Sequence, residues 1–219
     1  MKLKNSGRYS TKELTEGLFE PSSQNRVYKN LLGITKKREM DKLEYQELVK
    51  ASRELFANFD AKHKFKEGDI KKIHRTWLGK IYSWAGEYRQ VNLSKGGFPF
   101  AAANQIPRLM KFFEKNELKK HTPCNFESLE KIIEAIAVVH VELVLIHPFR
   151  EGNGRMSRLV ANLMALQAGL PPLDFSGIKN KKRQEYFAAV RAGLNRDYKP
   201  MIKIFESVIK RTLKKYKLS

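Results

Sequence analysis

The stretch from His147 to Arg158 packs a histidine, a carboxylate, two glycines and the arginine pair Arg155 and Arg158 into one short run, a combination suited to moving a phosphorus-containing group. Gly152 and Gly154 carry no side chain to block close approach. Where they open a helix, successive backbone N–H groups can therefore converge on a phosphate at its positive end. Arg155 and Arg158 are three residues apart and share a helical face, and their planar forks match phosphate oxygens. Two cations beside a backbone nest fit a polyphosphate such as ATP better than a neutral ligand. Glu151 brings one carboxylate to the same place, where Mg²⁺ is held through one oxygen while phosphates and waters complete its octahedron. His147, with an ordinary pKa near ~6.5, is left to accept a proton from an attacking hydroxyl. Phe149 stands between base and metal ligand as an apolar anchor. Taken singly, Gly-Asn-Gly is a turn, a helix-end histidine is a cap and Glu151 complements a helix dipole; their concentration in one segment favours chemistry.

The flanking sequence must position that segment, and its periodicity is helical. Leu129, Ile132, Ile133, Ile136, His140, Leu143 and His147 form one stripe of an almost wholly apolar helix, which belongs at the centre of the fold and is stopped by Pro148. A second helix follows the glycines, with Met156, Leu159, Val160, Leu163 and Met164 inward and Gly169 closing it. Upstream, Met40 to Phe59 supports a core-facing helix with a polar middle. Ile70, Ile73, Trp77, Leu78, Ile81 and Trp84 predict another, with Asp69 as N-cap; both tryptophans are expected in the core. Gly96-Gly97 between Val91-Asn92-Leu93 and Phe98-Pro99-Phe100 predicts a β-hairpin flap. Asn104 opens a helix through Phe113, residues 121 to 126 form a loop, and Arg183 to Leu194 and Tyr198 to Leu213 are helical.

Composition narrows the classes. The chain has 219 residues, 42% hydrophobic, enough for one core, and its single Cys124 excludes a disulfide framework or a Cys-rich zinc site. His140-Val-Glu142 begins like a zinc deaminase signature, but the required cysteine pair is missing. Met1 to Arg8 is polar and basic, unlike a signal peptide, and the longest apolar run is broken by His140 and Glu142, so a soluble, cytoplasmic protein is expected, with export as an effector left open. The net charge of +20 points to acidic partners, nucleic acid included. The lysines are nevertheless scattered, and no zinc finger, basic zipper or aromatic RNA-binding motif accompanies them.

The run from His147 to Arg158 resembles the Fic signature, His-x-Phe-x-(Asp/Glu)-Gly-Asn-Gly-Arg-x-x-Arg, at every defined position. With residue types used at roughly 5% each, seven fixed identities coincide about once in 10⁹ positions. Arg26 to Ile34 resembles the entry to the Fic core, and Trp84 to Arg89 with Asn92 to Phe98 resembles its strand and flap; the likeness covers roughly residues 20 to 210. It implies an all-α, Fic-type helical core with a small β-hairpin flap. The expected division is an N-terminal arm at 1–20 and a Fic domain at 21–215, the flap lying at about 88–100 and the active-site loop at 147–155.

The resemblance further implies transfer of AMP from ATP to a Ser, Thr or Tyr hydroxyl of a target protein. His147 would be the base and Glu151 the Mg²⁺ ligand. Lys95, Gly96, Arg150, Glu151, Gly152, Asn153, Gly154, Arg155 and Arg158 would bind ATP, with Arg155 on the β-phosphate and Arg158 on the γ-phosphate. Asn92, Leu93, Lys95, Gly96, Gly97 and Phe98 would dock the target. The Doc branch, which transfers the γ-phosphoryl, lacks the second glycine, whereas Gly154 is present. Another nucleotide or phosphoryl donor, or a basic nucleic-acid-binding helical protein, stands as the alternative. Fic proteins are commonly restrained by Ser/Thr-x-x-x-Glu-Gly/Asn; the match here, Lys12-x-x-x-Glu16-Gly17, has lysine in place of the hydroxyl residue. A small antitoxin supplying the inhibitory helix in trans, with this chain as the toxin of the pair, is the reading that follows.

Overall fold

The computed structural model describes residues 14–217. Its elements run α1 (Lys37–Asn58), α2 (Glu67–Leu78), β1 (Ser94–Lys95), β2 (Phe98–Pro99), α3 (Ile106–Phe113), α4 (Lys119–His121), α5 (Leu129–Ile146), α6 (Asn153–Gln167), α7 (Lys181–Ala192) and α8 (Lys199–Tyr216). This is the helical architecture with a small hairpin that the sequence implied. Among the described residues, no helix is long and apolar enough to cross a membrane.

The axis is α5. Its Ser128 cap accepts the Lys131 N–H, and nearly every residue from Ile132 to Ile146 is buried. A helix apolar all round has no face to give to water, so others must wrap it. α6 and α8 do so most extensively, with α3 and α7 beside them, while α1 packs on α2. Leu129 departs from the expected stripe: at the first turn it remains exposed. α6 closes as its glycine predicted. Gly169 takes φ +75°, its N–H reaches Leu166 O, and the Leu170 N–H reaches Ala165 O, the paired bonds of a Schellman motif.

Two upstream elements differ from their periodicity. α2 ends at Leu78, so Ile81 and Trp84 reach the core from an irregular segment rather than a helical face. That segment turns at Gly86, whose φ of +82° and contact with Arg75 leave no room for a Cβ. Asp69 is the third helical residue, not the cap, and its carboxylate accepts the Lys66 N–H at 2.9 Å. Asn104 lies in a 3₁₀ turn, Ala103–Gln105, and the α-helix begins at Ile106. That helix continues through a π-helical stretch, Glu114–Leu118, into α4, so His121 is helical rather than the start of a loop.

Candidate active site

The loop between α5 and α6 is held from beneath. Phe149 is fully buried and stacks on His74, ring centres 3.9 Å apart. The His74 Nδ1 accepts the Gly86 N–H at 2.8 Å, so its proton sits on Nε2, which donates to Glu151 O at 3.0 Å. Burial pushes His74 down to about 4, which keeps that neutral tautomer in place. Asn153 closes the loop from the other side. Its Oδ1 accepts the Phe149 N–H at 2.9 Å and its Nδ2 donates to Phe149 O at 2.7 Å. The side chain thus clamps the loop's own backbone, which fixes the turn and leaves any contact with phosphate to the backbone N–H groups of the α6 N-terminus.

His147 ends α5 with φ +53° and a half-buried ring. Its Nδ1 lies 3.0 Å from Val144 O, and the ring stacks on Phe100 at 3.6 Å. A carbonyl can only accept, so Nδ1 carries the proton and Nε2 keeps its lone pair. Burial, aided by the positive charges of Arg89 and Lys95, pushes the ring down to about 4. Arg89 is the brace behind it. This buried guanidinium donates to His147 O at 2.7 Å, Val91 O at 2.6 Å and Ala101 O at 2.6 Å, with Ile146 O at 3.4 Å. A cation among the last carbonyls of α5 offsets their partial negative charge and joins the helix end to both sides of the flap. In the sequence Arg89 stood only in a resembling stretch, and no local pattern there marks a charge destined for burial.

On the opposite side, α6 begins with Gly152 as its N-cap. The two glycines serve different ends. Gly152 has φ +80°, and a Cβ there would meet the Trp77 ring at 2.7 Å; a Cβ at Gly154 would meet nothing within 4 Å. Gly152 is thus required by the fold, whereas Gly154 faces open space at the helix end and no protein atom demands glycine there. Arg155 is already engaged: it donates to Glu44 Oε2 at 2.6 Å and to Glu151 Oε1 at 3.0 Å, lying 4.7 Å over the Trp77 ring. Burial alone would lower its pKa, but Glu44 and then Glu151 hold it above the ordinary value. Glu44 is 3% exposed and also accepts from the Tyr82 hydroxyl at 2.7 Å. It occupies the polar middle of α1, where the sequence showed a weak apolar face. Nothing in the local pattern flagged it, because its partner lies far along the chain.

Arg158 has no carboxylate within 4.0 Å among the described residues and stands near the Phe175 ring. Arg150 donates to Glu16 O at 2.9 Å and stacks on Tyr28, so its charge is tethered at the rim. The Glu16 carboxylate accepts the Gln90 N–H at 2.7 Å rather than meeting Arg158. Lys12, the other end of the candidate inhibitory pattern, lies outside the described residues.

These groups surround one cleft of about 820 Å³. His147, Arg150 to Arg155 and Arg158 form one wall, and Leu93 to Gly96, Phe98 and Phe100 form the flap side. Gly96 and Gly97, at φ +57° and +77°, make the two-residue loop of the hairpin, whose pairs are Ser94 with Pro99 and Lys95 with Phe98. Three residues of the expected site stay outside the lining. Phe149 lies behind it, Gly97 turns away at the hairpin tip, and Asn92 accepts the Ala103 N–H at 2.9 Å at the flap base. The third wall escaped the sequence: Ile178, Arg183, Tyr186, Phe187, Val190 and Arg191 come from α7 and the turn before it. Helical periodicity shows that a face is covered, not that it covers a cleft. No group of three or more metal-ligating side chains occurs among the described residues, so a cation here would depend on Glu151 and on ligand oxygens. A single hard carboxylate beside a phosphate nest suits Mg²⁺ in that manner.

Residues 64–165 match the model of the Fic/DOC family. The chain is similar to the protein adenylyltransferase Fic of Aedes aegypti, 32% identical over 149 residues, which is 68% of this chain and 28% of that protein. It thus spans little more than a quarter of the length of that curated relative. Among solved structures, the N-terminal Fic domain of a Bartonella effector protein from Bartonella sp. AR 15-3 has a TM-score of 0.72 at 23% identity, covering 90% of this chain and 92% of its own, and shares the fold. The N-terminal Fic domain of a VirB-translocated effector from Bartonella quintana, solved with bound ADP, has a TM-score of 0.66 at 26% identity and covers 83% and 89%.

Proposed function

We propose that the chain, whose residues 64–165 match the model of the Fic/DOC family, is a protein adenylyltransferase using ATP. The observation that carries this reading is the ring of His147, whose Nδ1 is committed to Val144 O so that its basic Nε2 is available within the same cleft as the α6 N-terminus. ATP lies with its phosphates at Gly154 and its base toward the apolar part of α7, a fit supported by the cleft's size and by the ADP bound in the Bartonella quintana relative.

His147 Nε2 accepts the proton of a target Ser, Thr or Tyr hydroxyl as that oxygen bonds to the α-phosphorus. The α–β anhydride bond breaks and pyrophosphate leaves. Arg158 and the unused donors of Arg155 neutralise the charge that collects on the leaving group, and the backbone N–H groups at Gly154 do so without reorganising. Glu151 would hold Mg²⁺, which would supply further positive charge to offset that of the phosphates. For that, Glu151 exchanges its Arg155 contact, while Glu44 keeps Arg155 in place. The outer edge of the flap pairs with an extended target segment and sets the hydroxyl against His147.

Arg158 meets no carboxylate within 4.0 Å among the described residues, which supports a regulatory reading as well. A separate small protein covers it in trans, and this chain is the toxin of such a pair. One labelling experiment tests both parts. Lysate incubated with α-labelled ATP is expected to show labelled proteins with the wild type and none with His147→Ala; identical bands would remove His147 from the chemistry. Glu16→Ala is expected to label like the wild type, and a strong gain would return inhibition to the chain itself.

A further inference from the structure

The cleft carries cations on two sides. On the phosphate side Arg155 meets Glu44 and Glu151, Arg150 donates to Glu16 O beside Tyr28, and Arg158 lines the cleft. On the other side, the flap residue Lys95 places its ammonium 5.4 Å from the centre of the Phe187 ring, and Arg183 of α7 places its guanidinium 5.7 Å from the same centre. Both side chains are exposed, and among the described residues neither has a carboxylate within 4.0 Å. Two like charges around one aromatic ring repel each other. The chain keeps Arg183 there although Lys181 and Lys182 precede it at the start of α7 with no acid in that turn, the end of a helix least tolerant of cations. Arg191 lines the same wall. Occupying the cleft strips water from these cations, which an anionic ligand offsets and a neutral one does not.

Flap and α7 line the cleft together with His147, so a segment paired with the flap that brings its hydroxyl to His147 Nε2 runs beside both. That path crosses Lys95, Phe187 and Arg183. We infer that the acceptor presents its hydroxyl on an extended protein segment bearing an Asp or Glu side chain, received by Lys95 and Arg183 beside Phe187. Phe187 supports the aliphatic parts of both cations, leaving their charged ends to the carboxylate. A nucleic acid would need a continuous basic stripe, whereas this pair is local and the remaining lysine runs are dispersed along the chain. The inference rests on the transfer reading above.

The test uses the full chain, α-labelled ATP and three pools of short peptides with a central Ser, Thr or Tyr flanked by Glu, by Gln or by Lys. The wild type is expected to label the Glu pool about tenfold more than the Gln pool. Arg183→Glu is expected to abolish that preference and favour the Lys pool, with an unchanged dissociation constant for a non-hydrolysable ATP analogue; Lys95→Glu shifts peptide preference the same way. Equal labelling of all pools, no peptide labelling despite automodification, or a preference unmoved in Arg183→Glu overturns it. Loss of nucleotide affinity in Arg183→Glu assigns that cation to the triphosphate and overturns it too, as does displacement of the Glu pool by a short single-stranded oligonucleotide but not by excess Glu-flanked peptide. If α-label enters no acceptor, the chain itself included, the transfer reading has failed and takes this inference with it; automodification in the same tubes separates the two failures.

Discussion

A histidine that must be neutral to accept a proton is best placed where charging it is costly, and His147 is pushed to about 4 chiefly by burial. His74 is likewise held near 4 and His140 near 3. In each case the unfolded chain binds a proton at higher pH than the folded one. Between pH 6.5 and about 4 the unfolded state therefore carries more protons, so this contribution to stability is complete above pH 6.5 and is lost as pH falls toward 4. Two outcomes follow. The melting temperature should fall steadily from pH 7 to pH 5, before most carboxylates titrate, and the acid limb of the transfer rate should bend near pH 4. A melting temperature constant over that interval, or a rate that halves near pH 6.5, contradicts the assignment. That His147, Glu151, Arg155 and Arg158 share one cleft was legible from type and spacing. That Asn153 is a clamp was not, because an amide two residues from a carboxylate looks the same in a sequence whether it faces phosphate or its own loop.

The turn between α5 and α6 shows why a motif can be read without its physics. Both glycines suggested close approach of backbone to phosphate; the structure divides them. Gly152→Ala forces a left-handed φ on an L-residue and drives its Cβ into Trp77, costing on the order of 1–3 kcal/mol. Gly154→Ala meets no protein atom and sits in the first turn of α6, where exchanging Gly for Ala contributes roughly 0.5–1 kcal/mol of stability. The two variants are expected to move the melting temperature in opposite directions, with nucleotide affinity reduced in Gly154→Ala despite its higher stability. A thermal scan with an ATP-analogue titration checks both, and a Gly154→Ala protein that binds the analogue like the wild type would show that this face does not meet phosphate. Long apolar elements such as α5 and α6 were legible because 3.6-residue periodicity and the stop signals Pro148 and Gly169 agree. The end of α2 was not. Ile81 and Trp84 satisfy helical spacing, yet they reach the core from an irregular segment that the positive φ of Gly86 permits.

At the level of the molecule, one buried helix carries His147 at its end, and three surrounding layers complete the cleft: α6 with Arg155 and Arg158, the flap anchored by Arg89, and α7 with Phe187. The helical class and the hairpin could be read from patterning; the assembly of the cleft could not. Glu44 and Arg155 meet across the fold, as do Lys95 and Phe187, and pairings of such sequence separation leave no local trace. The +20 charge is more specific in the same way, since part of it lines the cleft as Lys95, Arg158, Arg183 and Arg191. The claim that joins all three scales is that the bond broken lies between the α- and β-phosphates. Incubating the chain and its acceptors with α-labelled and γ-labelled ATP in parallel measures this directly. Covalent label from the α-position alone, abolished by His147→Ala, is the expected result; retention of the γ-label would show phosphoryl transfer and contradict it.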